Sequence, residues 1–119
     1  EDENTYAFLD IAPVHPGHVL VVPKIHAANI LEVGPEPLTQ VIKTTQKIAT
    51  SMYKSLSLEG CNITQNNGSV AGQSVHHLHI HIIPRYANDG LQPWSHKKYA
   101  SQAEAAQMAE CIRAGLQKS

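Results

Sequence analysis

Histidine is concentrated in one short internal stretch of the chain. Four of the eight histidines lie between residues 76 and 81, within "SVHHLHIHIIPR", and the last three alternate with leucine and isoleucine. Imidazole nitrogens can act as nucleophiles, as acids or bases, and as metal ligands. A purification tag would be an unbroken terminal run, whereas this stretch is internal and patterned. We therefore expect the chemistry of the protein to lie here.

Strict alternation has the two-residue period of a β-strand. It predicts a strand over residues 75–83, with His77, His79 and His81 on one face and apolar side chains on the other. Histidine is not a preferred strand former, and packing gives no reason for it to recur on one face. A structural or surface role would explain a single histidine, but three in register indicate a function.

A zinc site is the first chemical alternative. At about 3.3 Å per residue, the α-carbons of His77 and His81 would lie roughly 13 Å apart. Two imidazoles could share an ion across that span only in a straight line, which tetrahedral coordination does not allow. No nearby glutamate or cysteine completes a set with two neighbouring histidines. We therefore predict no metal ligands.

Nucleophilic attack on phosphorus is the second alternative. It needs a neutral imidazole nitrogen, a fixed tautomer, and donors for the phosphoryl oxygens. The loop "NNGSVAGQS", residues 66–74, leads directly to the histidines. Its glycines allow backbone N–H groups to approach a ligand closely, and we expect Gln73 and Ser74 to add side-chain donors.

The rest of the chain predicts the elements that position these groups. We expect strands over residues 6–11, 18–24 and 60–65, with a Pro- and Gly-rich turn between the first two. Apolar residues at three- and four-residue spacing predict an amphipathic helix from Pro37 to Leu56, and an alanine-rich helix follows Ser101, a plausible cap, through residue 118. This order indicates the α+β class.

Composition limits the class of protein. The chain has 119 residues, which suits one domain over residues 1–119. A formal charge of −1 without a dense basic stripe argues against a nucleic-acid partner. The two cysteines lack CxxC spacing, so we interpret them as buried thiols in a reducing compartment, the cytoplasm. No apolar run reaches the roughly 20 residues that span a membrane. Because the chain starts at Glu1 close to a strand, we expect an upstream N-terminal segment to be missing.

Residues 72–83, with Gly-Gln-Ser-Val before His-Leu-His-Ile-His-Ile-Ile, resemble the signature of the histidine-triad (HIT) hydrolases. The resemblance extends over residues 6–86, through "FLDIAPVHPGHVLVVPKIH" and "GCNITQNNG". It implies a HIT-like α+β fold, with an antiparallel sheet, a long central helix and a C-terminal helix, and a homodimer. It also implies cleavage at the α-phosphorus of a purine nucleotide derivative, either a nucleoside phosphoramidate or a dinucleoside polyphosphate. A covalent nucleotidyl-histidine would form, and water would release the nucleoside monophosphate.

The same resemblance assigns site residues. The nucleophile falls on His79, flanked by His77 and His81, and His81 with His18 and His26 would carry the leaving-group proton. Histidine rather than glutamine at position 81 favours a hydrolase over a nucleotidyl transferase. Asp10 would bind the ribose hydroxyls, because a carboxylate offers two acceptor oxygens. The remaining predicted substrate-binding residues are Phe8, Leu9, Ile11 and Leu20 around the base, Asn66 beside the scissile phosphate, and Gln73 and Ser74 in the phosphate loop.

Several alternatives stay open at this point. Asp10 could simply end a strand at a turn, and Arg85 could meet a leaving-group phosphate or remain solvated. Some bacterial HIT proteins hold a structural zinc with an amino-terminal cysteine pair and histidines at the positions of His26 and His77. We expect no required cofactor, and such a zinc only if a cysteine pair lies upstream. The main functional alternative is a nucleotide-binding regulatory protein with vestigial hydrolysis.

Overall fold

Residues 1–117 are described by the computed structural model. They form a four-stranded sheet and two α-helices, with a short 3-10 turn at Ser69–Ala71. The strands are β1 (Thr5–Leu9), β2 (Val19–Pro23), β3 (Gly60–Thr64) and β4 (Ile80–Arg85), and the helices are α1 (Pro35–Leu56) and α2 (Gln102–Gln117). The strand order is β1-β2-β4-β3, and every neighbouring pair is antiparallel. The predicted α+β class, antiparallel sheet, long central helix and C-terminal helix are confirmed.

The chain divides into two compact units. The first, Glu1–Asp89, contains the sheet and α1, and the second begins at Gly90 and contains α2. The predicted cap of α2 is confirmed, since the Ser101 hydroxyl accepts the Glu104 N–H at 3.1 Å. Residue 118, the predicted end of this helix, lies outside the described residues. The expectation of one domain over residues 1–119 stays a prediction.

The core lies between one face of the sheet and α1. Val21, Val41 and Ile82 are fully buried there. Helix α1 starts at Pro35, two residues before the predicted start, because proline is well accommodated in a first helical turn, where its missing N–H is not needed. No helix in residues 1–117 is both long enough and apolar enough to cross a membrane.

The predicted histidine strand begins later than expected. Strand β4 starts at Ile80, so residues 75–79 lie outside the ladder, and the strand continues to Arg85. Proline at position 23 ends β2 and has no N–H with which to extend the pairing. The Leu78 N–H instead donates to the Ala27 carbonyl at 2.7 Å. The expectation that all three histidines lie on one strand is therefore wrong, although burial still alternates through Leu78, Ile80 and Ile82.

The prediction of two buried thiols is also wrong. Cys61 in β3 is partly buried and Cys111 in α2 is exposed, and both are free thiols. The prediction for Cys111 took a position in a helix as a sign of burial, but α2 has no buried residue among those described.

Candidate functional site

The turn between β1 and β2 places His18 at the edge of the site. Gly17 has φ +95°, a conformation that glycine adopts readily, and an added Cβ would lie 3.1 Å from the Leu56 side chain and 3.3 Å from that of Pro84. This close packing fixes the start of β2. In the antiparallel register Leu20 lies opposite His81, so His18 lies diagonally across from His81 on the open face of the sheet.

The hydrogen bonds of His18 define the tautomers of two histidines. The Val14 N–H donates to His18 Nδ1 at 3.1 Å, so that nitrogen carries no proton. A neutral His18 therefore holds its proton on Nε2 and donates it to His81 Nδ1 at 2.9 Å. His81 must in turn hold its own proton on Nε2. The backbone of the turn thus sets the direction of an imidazole pair.

Burial keeps this pair neutral. His18 is only 3% exposed, and burial lowers its pKa below the ordinary value, while the Asp10 carboxylate raises it in part. Burial also lowers the pKa of His81; positive charge on His79 or His18 would lower it further, and Asp10 opposes the change. Neutral rings near pH 7 are the form that the tautomers require.

The orientation of His79 leaves one nitrogen lone pair available. Its Nδ1–H donates to the His77 carbonyl oxygen at 2.7 Å, so Nε2 of the neutral ring carries the lone pair. The rings of His79 and His81 lie edge to face with centroids 4.9 Å apart. The structure therefore brings the predicted nucleophile next to the predicted proton carrier.

His77 and His26 form a separate pair at the other end of the site. His77 Nε2–H donates to the Pro23 carbonyl at 3.1 Å, and the His26 ring lies 5.4 Å from the His77 ring. The structure thus pairs His26 with His77 and His18 with His81, and the expected part of His26 in carrying the leaving-group proton stays a prediction. The register explains this, because antiparallel pairing places residues beyond the end of β2 near His77 and residues before its start near His81.

Asp10 combines a turn contact with a site contact. Its Oδ1 accepts the Ala12 N–H at 2.9 Å, which is the turn role that the sequence left open. Its Oδ2 lies 3.8 Å from His18 Nε2. The carboxylate therefore acts electrostatically on the imidazole pair, and its predicted ribose contact stays a prediction.

An apolar cleft of about 360 Å³ opens beside the two histidines at positions 77 and 79. Phe8 and Leu20, which were predicted to surround the base, both line this cleft, and the alternation of β1 and β2 adds Val22. Val75 also lines the cleft, and the sequence analysis missed both valines. Leu9 and Ile11 do not line it: Leu9 pairs with Val19 on the core side of the sheet and is 65% exposed, while Ile11 is fully exposed.

The phosphate loop, residues 66–74, is held in place by Gln73, whose side chain was expected to donate to a ligand. Gln73 is buried, its Oε1 accepts the Gly68 N–H, and its Nε2 donates to the carbonyls of Ala28 and Val75. Both amide hydrogens are therefore used inside the protein, and the expected side-chain donation by Gln73 to a ligand is wrong in this conformation. Ser74 is exposed.

Asn66 lies against the same loop. Gly72 has φ +99°, and an added Cβ would lie 3.4 Å from Asn66 Nδ2. A side chain at position 72 would therefore meet both a strained backbone and the predicted phosphate-binding amide. Glycine here allows Asn66 and the loop to lie close together.

Asp10, His18 and His81 could each offer one metal-ligand atom, and these atoms lie within 4.8 Å of one another. Two imidazoles and a carboxylate are a common set for transition metals. The sequence argument missed this group because it considered only residues close in the chain. The His18 nitrogen that faces the group is protonated, however, as the Val14 N–H requires. The geometry therefore favours a hydrogen bond between the two rings over metal binding.

The structural zinc of some HIT proteins would need His26 and His77 together with two further ligands. The two rings are close, but within residues 1–117 no cysteine or carboxylate joins them in a group of ligand atoms. The residues present here do not complete that site.

Arg85 is bound bidentately by Asp89, at 2.8 and 3.2 Å, and also contacts Asn62, so its charge is already compensated.

The family model of the HIT domain matches residues 1–88, which include every residue of the site described above. The chain belongs to the HIT family. The crystal structure of SMU.412c from Streptococcus mutans UA159 has a TM-score of 0.91 to this chain at 36% identity, and the match covers 98% of this chain and 74% of that one.

Two relatives carry the names of enzymes. The adenosine 5'-monophosphoramidase HNT1 of Saccharomyces cerevisiae is 40% identical over 85 residues, which are 71% of this chain and 51% of the yeast protein. The adenylylsulfatase HINT3 of Arabidopsis thaliana is 32% identical over 121 residues, covering 98% of this chain and 60% of the plant protein. The chain thus spans between half and two thirds of the length of these two relatives. Members of its family include hydrolases of nucleotide derivatives.

Proposed function

We propose that this protein hydrolyses a purine nucleotide derivative at the α-phosphorus through a covalent nucleotidyl-His79 intermediate. The observation that carries the proposal is the orientation of His79, whose Nδ1–H is bound to the His77 carbonyl and whose Nε2 lone pair is therefore available for attack. The substrate is a nucleoside phosphoramidate or a dinucleoside polyphosphate. The two named relatives support cleavage of an adenylyl derivative, because both names describe an adenylyl group joined to a different leaving group.

The first step forms a bond between His79 Nε2 and phosphorus and breaks the bond to the leaving group. The leaving group departs with the bonding electron pair and takes the proton from His81 Nε2. The negative charge that this leaves on the His81 ring is stabilised by the His18 Nε2–H, which donates to His81 Nδ1. Water then attacks the phosphorus of the adduct, and the bond between phosphorus and His79 Nε2 breaks. One water proton returns to His81 Nε2, and the nucleoside monophosphate is released with His79 restored. The scheme uses no metal, since the nucleophile is a side chain, and we propose that no cofactor is required.

The cleft and the loop supply binding. We propose that the base lies in the apolar cleft between Phe8 and Val75, that Asp10 contacts the ribose, and that the backbone amides of residues 68–74 meet the phosphate. An apolar cleft contributes area rather than hydrogen bonds to the base. It therefore supports binding of a purine without a strict choice between adenine and guanine.

The decisive experiment measures AMP release from adenosine 5'-phosphoramidate and from a dinucleoside polyphosphate, separated by chromatography. We expect AMP from at least one of them with the wild-type chain. The alternative from another class, a nucleotide-binding regulatory protein, predicts AMP binding without product. Tight binding and no release from either substrate would favour that alternative.

We also propose that two copies of the chain form a homodimer. Ile42 and Tyr53 of α1 and Ile63 of β3 are each about half exposed, and with Cys61 they line an apolar depression of about 370 Å³. We call these four residues the α1–β3 patch. Strand β3 is the edge of the sheet next to this patch, so pairing two β3 strands would continue the sheet and cover the patch. We further propose the cytoplasm as the compartment and predict no nucleic-acid or membrane partner.

A further inference from the structure

Two side-chain amides at the entrance of the phosphate loop bind each other. Gln65 Nε2 donates to Asn67 Oδ1 at 2.8 Å, and Asn67 Nδ2 donates to Gln65 Oε1 at 2.9 Å. Gln65 Nε2 also donates to the backbone carbonyl of Asn66 at 3.1 Å. The pair therefore closes around Asn66, the residue that we place beside the scissile phosphate.

The same pair is tied to a distant part of the chain. Asn67 Oδ1 accepts the Ile30 N–H at 3.0 Å, across 37 residues of sequence. Two other bonds join the same two regions: Gln73 Nε2 donates to the Ala28 carbonyl at 2.6 Å, and the Leu78 N–H donates to that of Ala27. The segment between β2 and α1 thus supports the phosphate loop near its entrance and near its end, and also supports the residues that follow it.

Burial does not require the two hydrogen bonds between Gln65 and Asn67. Gln65 and Asn67 are only partly buried, so each amide could be solvated by water if the other were absent. When two neutral side-chain amides hydrogen-bond to each other, they restrict the backbone between the two residues. That backbone carries Asn66 and leads to Gly68, the first glycine of the loop.

We propose that Gln65 and Asn67 are positioning residues for phosphate recognition. Their mutual hydrogen bonds fix Asn66, and the bond from the Ile30 N–H to Asn67 holds the loop entrance to the segment between β2 and α1. Neither side chain needs to contact the substrate. This inference rests on the proposed function, and it deepens that function by naming the residues that place the phosphate rather than the base.

The test compares two ligands that differ only in the phosphate. Calorimetric titration with AMP and with adenosine should be made on wild type, Asn67→Ala, Gln65→Leu and the double variant. We expect each single variant to weaken AMP binding roughly tenfold, the loss of about one hydrogen bond, while adenosine affinity stays within twofold. The double variant should bind AMP no more weakly than Asn67→Ala, because that single variant already removes the mutual bonds and the bond from Ile30.

The exposed amide of Gln107 in α2 provides the matched control, and Gln107→Ala should change neither affinity. A urea titration of each variant checks that the fold is retained. Equal losses for AMP and adenosine, or an additive double variant, would show a general structural role and overturn the inference. Unchanged AMP affinity in the variants would overturn it while leaving the proposed function intact, whereas a wild-type chain that binds no AMP would overturn both.

Discussion

The hydrogen bond between His18 and His81 predicts that the two rings act as one unit in catalysis. The distance of 2.9 Å and the tautomers set by Val14 make His18 the donor and His81 the acceptor. His18→Phe keeps a ring of similar size in the buried position but removes both hydrogen bonds. His81→Ala removes the group that exchanges protons with the leaving group.

The expected magnitude follows from this arrangement. Loss of a positioned acid or base typically costs about 10²–10⁴ in rate, which corresponds to about 2.7–5.4 kcal/mol of transition-state stabilisation. If the two histidines acted independently, the double variant would lose about 10⁴–10⁸, the product of the two factors. Because His18 acts only through His81, we expect the double variant to be no slower than His81→Ala alone.

The assay is a double-variant cycle on kcat for AMP release at one pH, with substrate well above KM. Urea unfolding of each variant must show a folded protein at the assay temperature. Multiplicative losses, with the double variant slower than His81→Ala by the full factor of His18→Phe, would refute the inference that His18 acts through His81. A His18→Phe variant with wild-type kcat would refute it as well.

Four further predictions follow from the same site. His79→Ala should lower kcat by orders of magnitude while AMP affinity changes little. Rapid quench into base with an α-labelled substrate should trap an adduct that survives in alkali, is lost in acid and maps to His79 in wild type; label on another residue would contradict the assignment. Burial lowers the pKa of His18 and His81 in the folded chain, so the unfolded chain binds more protons just below their ordinary pKa. The stability that these neutral rings contribute should therefore be complete above about pH 6.5 and decline as the pH falls further. Urea midpoints measured from pH 7.5 downwards should fall less steeply for His18→Phe than for wild type, and parallel curves would count against this origin. Treatment with a chelator should leave AMP release unchanged, and activity that is lost and then restored by zinc would return the metal to the mechanism. Sedimentation at micromolar concentration should give twice the chain mass of 13.0 kDa, Ile63→Lys should shift it toward the monomer while Leu31→Lys, at an exposed position away from the patch, should not, and a monomeric wild type would exclude the proposed dimer.

Local pattern predicted most elements because the physical cause of each is local. The end of β2 at Pro23 and the extent of α1 follow from a missing N–H and from apolar spacing, both visible in a few residues. The alternation around the histidines correctly predicted the burial of Leu78. The alternating burial, however, starts at Leu78, two residues before the strand begins at Ile80. Alternating burial requires only an extended backbone, whereas a strand also requires a partner that can bond to it.

Contacts between distant residues could not be derived from pattern. That His18 meets His81, and that His26 meets His77, depends on the register between β2 and β4, which joins residues about 60 positions apart. The valine at position 75 lines the cleft for the same reason. The family resemblance predicted the candidate site residues, but the register between β2 and β4 was needed to show which of them lie together.

The edge strand β3 has a consequence for handling this protein. Its sequence, "GCNIT", has no charge and no proline, which are two of the devices by which natural edge strands avoid unwanted pairing. A single copy with this edge uncovered would offer a ready template to any extended chain, including an unfolded copy of itself. A monomeric form would therefore need a lysine or a bulge placed on β3 to avoid aggregation through this edge, which the proposed dimer would cover.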